Sequence, residues 1–283
     1  SDVCSSDLLK SKSFRRIVFD EICANFLTLS KNRKRIKKKK EIKTFSENTS
    51  KKILNNLPFE LTTGQLNSLN EINNDIKSNK RMFRILQGDV GSGKTIVAML
   101  AIANAIESKY QTAFMGPTEI LARQHYEFAK LIFKRIKIKI EYLSGKTELK
   151  KRKKILSDLE NGKIDLLFGT HALFQKKIKF KKLGFIIIDE QHKFGVKQRS
   201  DFAKKGGNFC DVLLMSATPI PRTMMMALYG DMDISIIDEK PSNRKKIITL
   251  SKPENKIYEL WPYIKKQIIK GNKNGRKYFK KFI

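Results

Sequence analysis

Cysteine, tryptophan and histidine are scarce in this chain, and acidic residues are outnumbered about two to one. Of 283 residues, three are Cys, one is Trp and three are His. Cys4, Cys23 and Cys210 lie far apart, and no two have the spacing of a metal site or a redox pair. That argues against a disulfide scaffold or a zinc module and leaves them as reduced thiols, as expected of a cytosolic protein. No apolar run is long enough to cross a bilayer, and the first residues are too polar for a secretory signal. The chain begins with Ser1, which fits a processed start or a piece of a longer protein.

Lys and Arg are abundant: 59 against 28 Asp and Glu, for a formal charge of +31. Two readings of that excess stay open. Cations that neutralise phosphates release condensed counterions, which favours a polyanionic partner. A sequence rich in Lys, Ile and Asn is also what AT-rich coding DNA gives. The 40% hydrophobic content suits a globular protein with a sizeable core.

Apolar positions at Ile17, Val18, Ile22, Phe26 and Leu29 predict a helix over Phe14–Leu29. The basic run Lys31–Lys40 after it is a solvated helix face, a flexible arm or a contact to DNA backbone. From Ile53 the pattern changes to short apolar runs alternating with helical segments. Strands are expected at Phe83–Leu86, Thr112–Met115, Ile140–Leu143, Asp165–Phe168, Phe185–Ile188 and Val212–Met215. Helices such as Thr95–Ser108 and Glu119–Lys134 lie between them. Near-continuous apolar strands alternating with helices predict an α/β fold, a parallel sheet with helices on both faces and a helical N-terminal arm. The expected organisation is an arm over 1–52, a nucleotide-binding domain over 53–250 and the start of something further over 251–283, where Pro253–Ile269 has a helical pattern.

Gly88-Asp89-Val90-Gly91-Ser92-Gly93-Lys94-Thr95 fits G-x-x-x-x-G-K-T. It follows an expected strand and opens an expected helix, the setting in which the pattern binds phosphate. Glycines let the backbone approach phosphate closely, and the helix start adds N–H groups and a favourable dipole. Lys94 is then placed for the β- and γ-phosphates of ATP, and the Thr95 hydroxyl for Mg²⁺. A second feature supports the first: Phe185-Ile186-Ile187-Ile188 runs into Asp189-Glu190-Gln191-His192. A buried strand ending in two carboxylates puts them at the carboxyl edge of the sheet, where ligands bind. Asp189 would hold Mg²⁺ and Glu190 would activate water. Spacing does not support a metal site built from His192 with His171 or His125; a γ-phosphate sensor is the better role for His192.

These residues resemble motifs I and II of helicase superfamily two, and further motifs follow in order. Pro117-Thr118-Glu119-Ile120-Leu121-Ala122 resembles motif Ia, Gly169-Thr170-His171-Ala172-Leu173 motif Ib, and Ser216-Ala217-Thr218-Pro219 motif III. Pro58-Phe59-Glu60-Leu61-Thr62 followed by Gln65 resembles an adenine-reading segment. Within the superfamily, Gly88–Gly91, Asp189–Val196 and Thr218–Thr223 are similar to the RecG family. The transcription-repair coupling factors share much of this, but Gln191 and Ser92 depart from their pattern. A non-catalytic nucleotide- or DNA-binding module is the alternative from another class.

The resemblance covers roughly Phe14 to Ile269. It implies a RecA-like P-loop domain, ATP and Mg²⁺ as cofactors, double-stranded and branched DNA as partner, a monomeric state and a role in repair and recombination. It places Gln65 on adenine, Thr118, Arg123, Thr170 and His171 on DNA backbone, and Ser216, Thr218 and Arg222 in coupling nucleotide state to DNA grip. Family members also have an N-terminal wedge and a second motor domain that supplies arginines to the ATP. No motif of that second domain occurs in these 283 residues, so slow hydrolysis by the chain alone is expected.

Overall fold

In the computed structural model, the structure describes residues 11–37, 39–175, 177–189, 210–218, 232–239, 258 and 260–269. Seven strands form one sheet: β1 (Phe83–Gly88), β2 (Gln111–Met115), β3 (Ile140–Leu143), β4 (Leu166–Gly169), β5 (Leu183–Ile188), β6 (Asp211–Ser216) and β7 (Asp233–Ile237). Their order is β3-β4-β2-β5-β6-β1-β7, and every pairing is parallel. β1, β2, β4, β5 and β6 are buried along their whole length. This is why they read as continuous apolar runs rather than as alternation.

The helices are α1 (Lys12–Ile36), α2 (Asn48–Leu54), α3 (Thr63–Lys77), α4 (Lys94–Glu107), α5 (Glu119–Ile132), α6 (Leu149–Glu160) and α7 (Leu260–Ile269). α4 is apolar all round and has eleven buried residues, which marks it as a central helix. It packs with α3 against Phe114, Phe168, Phe185, Ile187 and Leu213 on one face of the sheet. Ile186, Ile188, Val212 and Leu214 point to the other face and are buried too. α6 belongs to that side, with Ile155 and Leu159 packed on Leu167. The expected architecture of helices on both faces therefore holds.

Two features were not anticipated. β7 adds a seventh strand at the edge, in register with β1 from Arg84↔Asp233 to Gly88↔Ile237. The chain after α1 also runs beneath the amino ends of the strands. There Lys40 and Lys43, both with fully buried side chains, converge on buried Asp211 at 2.7 and 2.6 Å. Lys40 also donates to the carbonyls of Asp75 and Ile76, and Lys43 to that of Gly184. Lys40 at the end of the basic run, together with Lys43 just after it, is thus an internal anchor that joins this segment to α3, β5 and β6.

The chain divides into two compact units, 1–242 and 243–283, and α7 lies in the second. Among the described residues, no helix is long and apolar enough to cross a membrane.

Candidate functional site

The carboxyl edge of the sheet gathers most of the residues singled out by sequence. β1 ends at Gly88 and β5 runs into Asp189, with β6 between them. Adjacent strands lie roughly 4.8 Å apart, so the two strand ends are about 10 Å apart. That gap suits a phosphate chain with its cation.

The loop from Gly88 is wound tightly before α4 begins. Gly93, the residue that caps the helix, has φ 90°, a conformation that strongly favours glycine. A Cβ there would also collide with Gln65 Nε2. Lys94 Nζ donates to the carbonyls of Gly88 and Asp89 at 2.6 and 2.9 Å. Its ammonium therefore lies over the loop. Ser92 Oγ is buried with no hydrogen-bond partner among the described residues. An orphaned hydroxyl inside such a loop is costly unless a ligand oxygen meets it. The first turn of α4 opens here, and Thr95 stands in it. A helix start leaves N–H groups without intrahelical partners and favours an anion. The loop therefore fits a polyphosphate.

Asp189 fits a divalent cation. Its backbone N–H donates to Met115 O at 2.9 Å, which pins it to the end of β2. Its side chain is 12% exposed and meets His125 Nε2 at 2.8 Å. Among the described residues no group of three or more His, Cys, Asp and Glu stands together. A cation here would thus rest on Asp189, Thr95 and the phosphates it accompanies, the usual manner for Mg²⁺. Glu190, His192 and Arg222 lie outside the described residues.

Gln65 stands beside the loop with both ends of its amide engaged. Oε1 accepts from the Thr62 N–H at 3.0 Å and the Thr62 hydroxyl accepts from the Gln65 N–H, closing a capping box at the start of α3. Nε2 donates to Ser92 O at 2.7 Å. In this arrangement Gln65 braces the phosphate loop. Next to it, Leu54, Leu57, Pro58, Phe59, Glu60 and Leu66 help line an open cleft of about 580 Å³. Phe59 is 41% exposed, a surface on which a flat base could lie.

The motif III residues form a small network. Ser216 and Thr218 share a hydrogen bond between their hydroxyls at 2.9 Å, and Gln87 Nε2 donates to Thr218 O at 3.2 Å. Gln87 pairs with Ser216 across the sheet and immediately precedes Gly88, so motif III touches the root of the phosphate loop. Sequence reading passes over Gln87 because it is one polar residue at a strand end.

Thr118, the N-cap of α5, and Arg123 on that helix are exposed, and Thr170 follows β4 at the same edge. The Thr118 hydroxyl accepts from Leu121 N–H at 3.3 Å and caps the helix, and its own O–H remains a donor. His171 starts a short 3₁₀ turn, His171–Phe174; its side chain lies outside the described residues.

Residues 62–227 match the DEAD/DEAH box helicase family. The chain belongs to that family. Within it the chain is RecG-like. The ATP-dependent DNA helicase RecG of Thermotoga maritima is 44% identical over 261 residues, 92% of this chain and 33% of that protein. RecG of Staphylococcus aureus is 49% identical over 199 residues, 70% of this chain and 29% of that protein. Among solved structures, RecG bound to a three-way DNA junction superposes with a TM-score of 0.81 at 40% identity, over 91% of this chain and 35% of that one. This helicase-family chain spans about a third of the length of the curated relatives it matches.

Proposed function

We propose that this chain is the nucleotide-binding part of an ATP-driven motor on double-stranded and branched DNA. In a complete protein it would remodel replication forks and Holliday junctions in repair and recombination, as a cytoplasmic, monomeric enzyme. The observation that carries this reading is the pairing, across β6, of a glycine loop holding an unsatisfied buried hydroxyl with a nearly buried carboxylate. Lys94 and the first turn of α4 would take the β- and γ-phosphates of ATP. Thr95 and Asp189 would hold Mg²⁺, whose charge offsets that of the phosphates. Glu190 would activate the attacking water, and His192 would sense the γ-phosphate. The base would lie in the cleft at Phe59, with Gln65 at its border.

The DNA side follows from the same edge. Thr118, Arg123, Thr170 and His171 would contact phosphates, positioning a strand without reading its sequence. Ser216, Thr218 and Arg222 would report nucleotide state, and Gln87 ties the first two to the loop. RecG, the relative solved on a three-way DNA junction, supports branched DNA as the partner.

The test is fluorescence anisotropy of a labelled three-way junction with and without Mg²⁺ and a non-hydrolysable ATP analogue. Binding should weaken steeply with salt and change several-fold with nucleotide, and Lys94→Ala should remove the nucleotide effect alone. A junction affinity indifferent to nucleotide in the wild-type chain would overturn the motor reading.

A further inference from the structure

His125 lies on α5, seven residues after Thr118 and two after Arg123. Its Nε2 lies 2.8 Å from Asp189 Oδ2, and the two side chains are only 13% and 12% exposed. The imidazole is steadied from another side by Phe114, with ring centroids 4.7 Å apart at a 45° tilt. Phe114 itself is fully buried in β2, the neighbour of β5. A carboxylate only accepts hydrogen bonds, so the shared proton sits on Nε2. A carboxylate also has two oxygens, and this contact uses one.

Taking Asp189 as the cation holder, we propose that His125 is its positioning residue. Nε2–H holds Oδ2 and fixes the carboxylate plane, which leaves the second oxygen for the cation. Carboxylates that ligate metals are generally oriented by such outer hydrogen bonds, and losing one typically lowers metal affinity 10- to 100-fold. The covalent path between the two residues crosses 64 positions, so the bond is made by tertiary folding. It brings the helix that bears Thr118 and Arg123 into contact with the metal-holding acid.

The alternative is a histidine that merely satisfies a nearly buried carboxylate and fills space. The two are separated by titrating Mg²⁺ into the 283-residue chain with a fluorescent ADP analogue, for wild type, His125→Ala and His125→Gln. The expected result is half-saturation at roughly ten-fold or more higher Mg²⁺ in His125→Ala. Nucleotide affinity without Mg²⁺ should be unchanged, and His125→Gln, whose amide can donate to the same oxygen, should recover most of the loss. If the alanine variant does not fold, His125→Leu keeps the volume without a donor and carries the same expectation. Wild-type half-saturation in the donor-less variants overturns the proposal. So does a loss shared equally by the glutamine variant, which marks a packing role. A wild-type chain whose nucleotide binding ignores Mg²⁺ overturns the reading of Asp189 itself, and the proposal with it.

Discussion

Replacing Asp211 by Asn should be among the most damaging single changes available in this chain, and the structure says why. The carboxylate, fully buried, accepts from Lys40 at 2.7 Å, from Lys43 at 2.6 Å and from the Met82 N–H at 2.7 Å. Two buried ammonium groups thus share one buried anion. Breaking a buried ion pair by removing one partner typically costs about 3–5 kcal/mol. An independent bound agrees: a lysine stripped of its partner can shed its proton, and at pH 7.5 that costs about 4 kcal/mol, three units at 1.36 each. For a folded unit of this size, the midpoint of thermal unfolding should fall by about 6–20 °C. The sign of the pH dependence follows. Burial already lowers the Lys40 pKa, with Asp211 opposing it. Without Asp211 the folded state binds fewer protons than the unfolded state, so stability rises with pH and the deficit narrows between about pH 7 and 10. Lys43→Met leaves one cation on one anion and should cost less. Thermal unfolding followed by circular dichroism reads all of this. A fall under about 2 °C at pH 7.5, or a deficit that widens at high pH, would refute the reasoning.

Three further expectations follow from local geometry. Glu107 accepts from the Ser46 hydroxyl and N–H and from Thr49 N–H; burial pushes its pKa up, but these bonds outweigh it and bring it from the ordinary 4.5 down to about 2. Its contribution is therefore complete above about pH 5 and lost as pH falls toward 2, so Glu107→Gln should be less stable than wild type at neutral pH and converge with it in acid, as read by urea unfolding. Burial pushes the Cys210 thiol up to about 12, so iodoacetamide at pH 8 should leave Cys210 unmodified in the folded chain and label it after unfolding, as mass spectrometry can check. Gln65→Ala should cost about 0.5–1.5 kcal/mol, because the Thr62 N–H loses its acceptor while the backbone N–H at position 65 still donates to the Thr62 hydroxyl, and should weaken nucleotide binding by loosening Ser92; equal nucleotide affinity in variant and wild type would reduce Gln65 to a part of the helix cap.

What could be read from sequence divides along physical lines. Five of the six expected strands, β1, β2, β4, β5 and β6, were legible because burial on both faces makes them largely apolar, and β3, only partly buried at the edge, still carries apolar Ile140, Tyr142 and Leu143. β7 was not: it is an edge strand, and Ile234, Ser235 and Ile236 differ in exposure along it. The phosphate loop was legible because its chemistry is contained in eight consecutive residues. The capping box Thr62–Gln65 was equally local, yet its consequence, that Gln65 is spent on Thr62 and Ser92, depends on a contact 27 positions away. Lys40 ended a run read as a solvated face, a flexible arm or a contact to DNA backbone, and Lys43 belonged to no pattern, because their shared partner is 171 and 168 positions distant. His125 was set aside as a metal ligand on spacing alone; its contact with Asp189 is created by packing α5 on β3 and β4, with His125 against Phe114 of β2, and no local pattern announces it.

The central claim is that Gly88–Thr95 and Asp189 together hold a nucleotide with its Mg²⁺. Isothermal titration of the chain with ATP, with Mg²⁺ and with EDTA in its place, tests it most directly beside Lys94→Ala and Asp189→Asn. The account predicts one site per chain that tightens with Mg²⁺, loses most of its affinity in Lys94→Ala, and in Asp189→Asn keeps its Mg²⁺-free affinity but no longer tightens. Binding that is absent in the wild-type chain, or that ignores both substitutions, would contradict it.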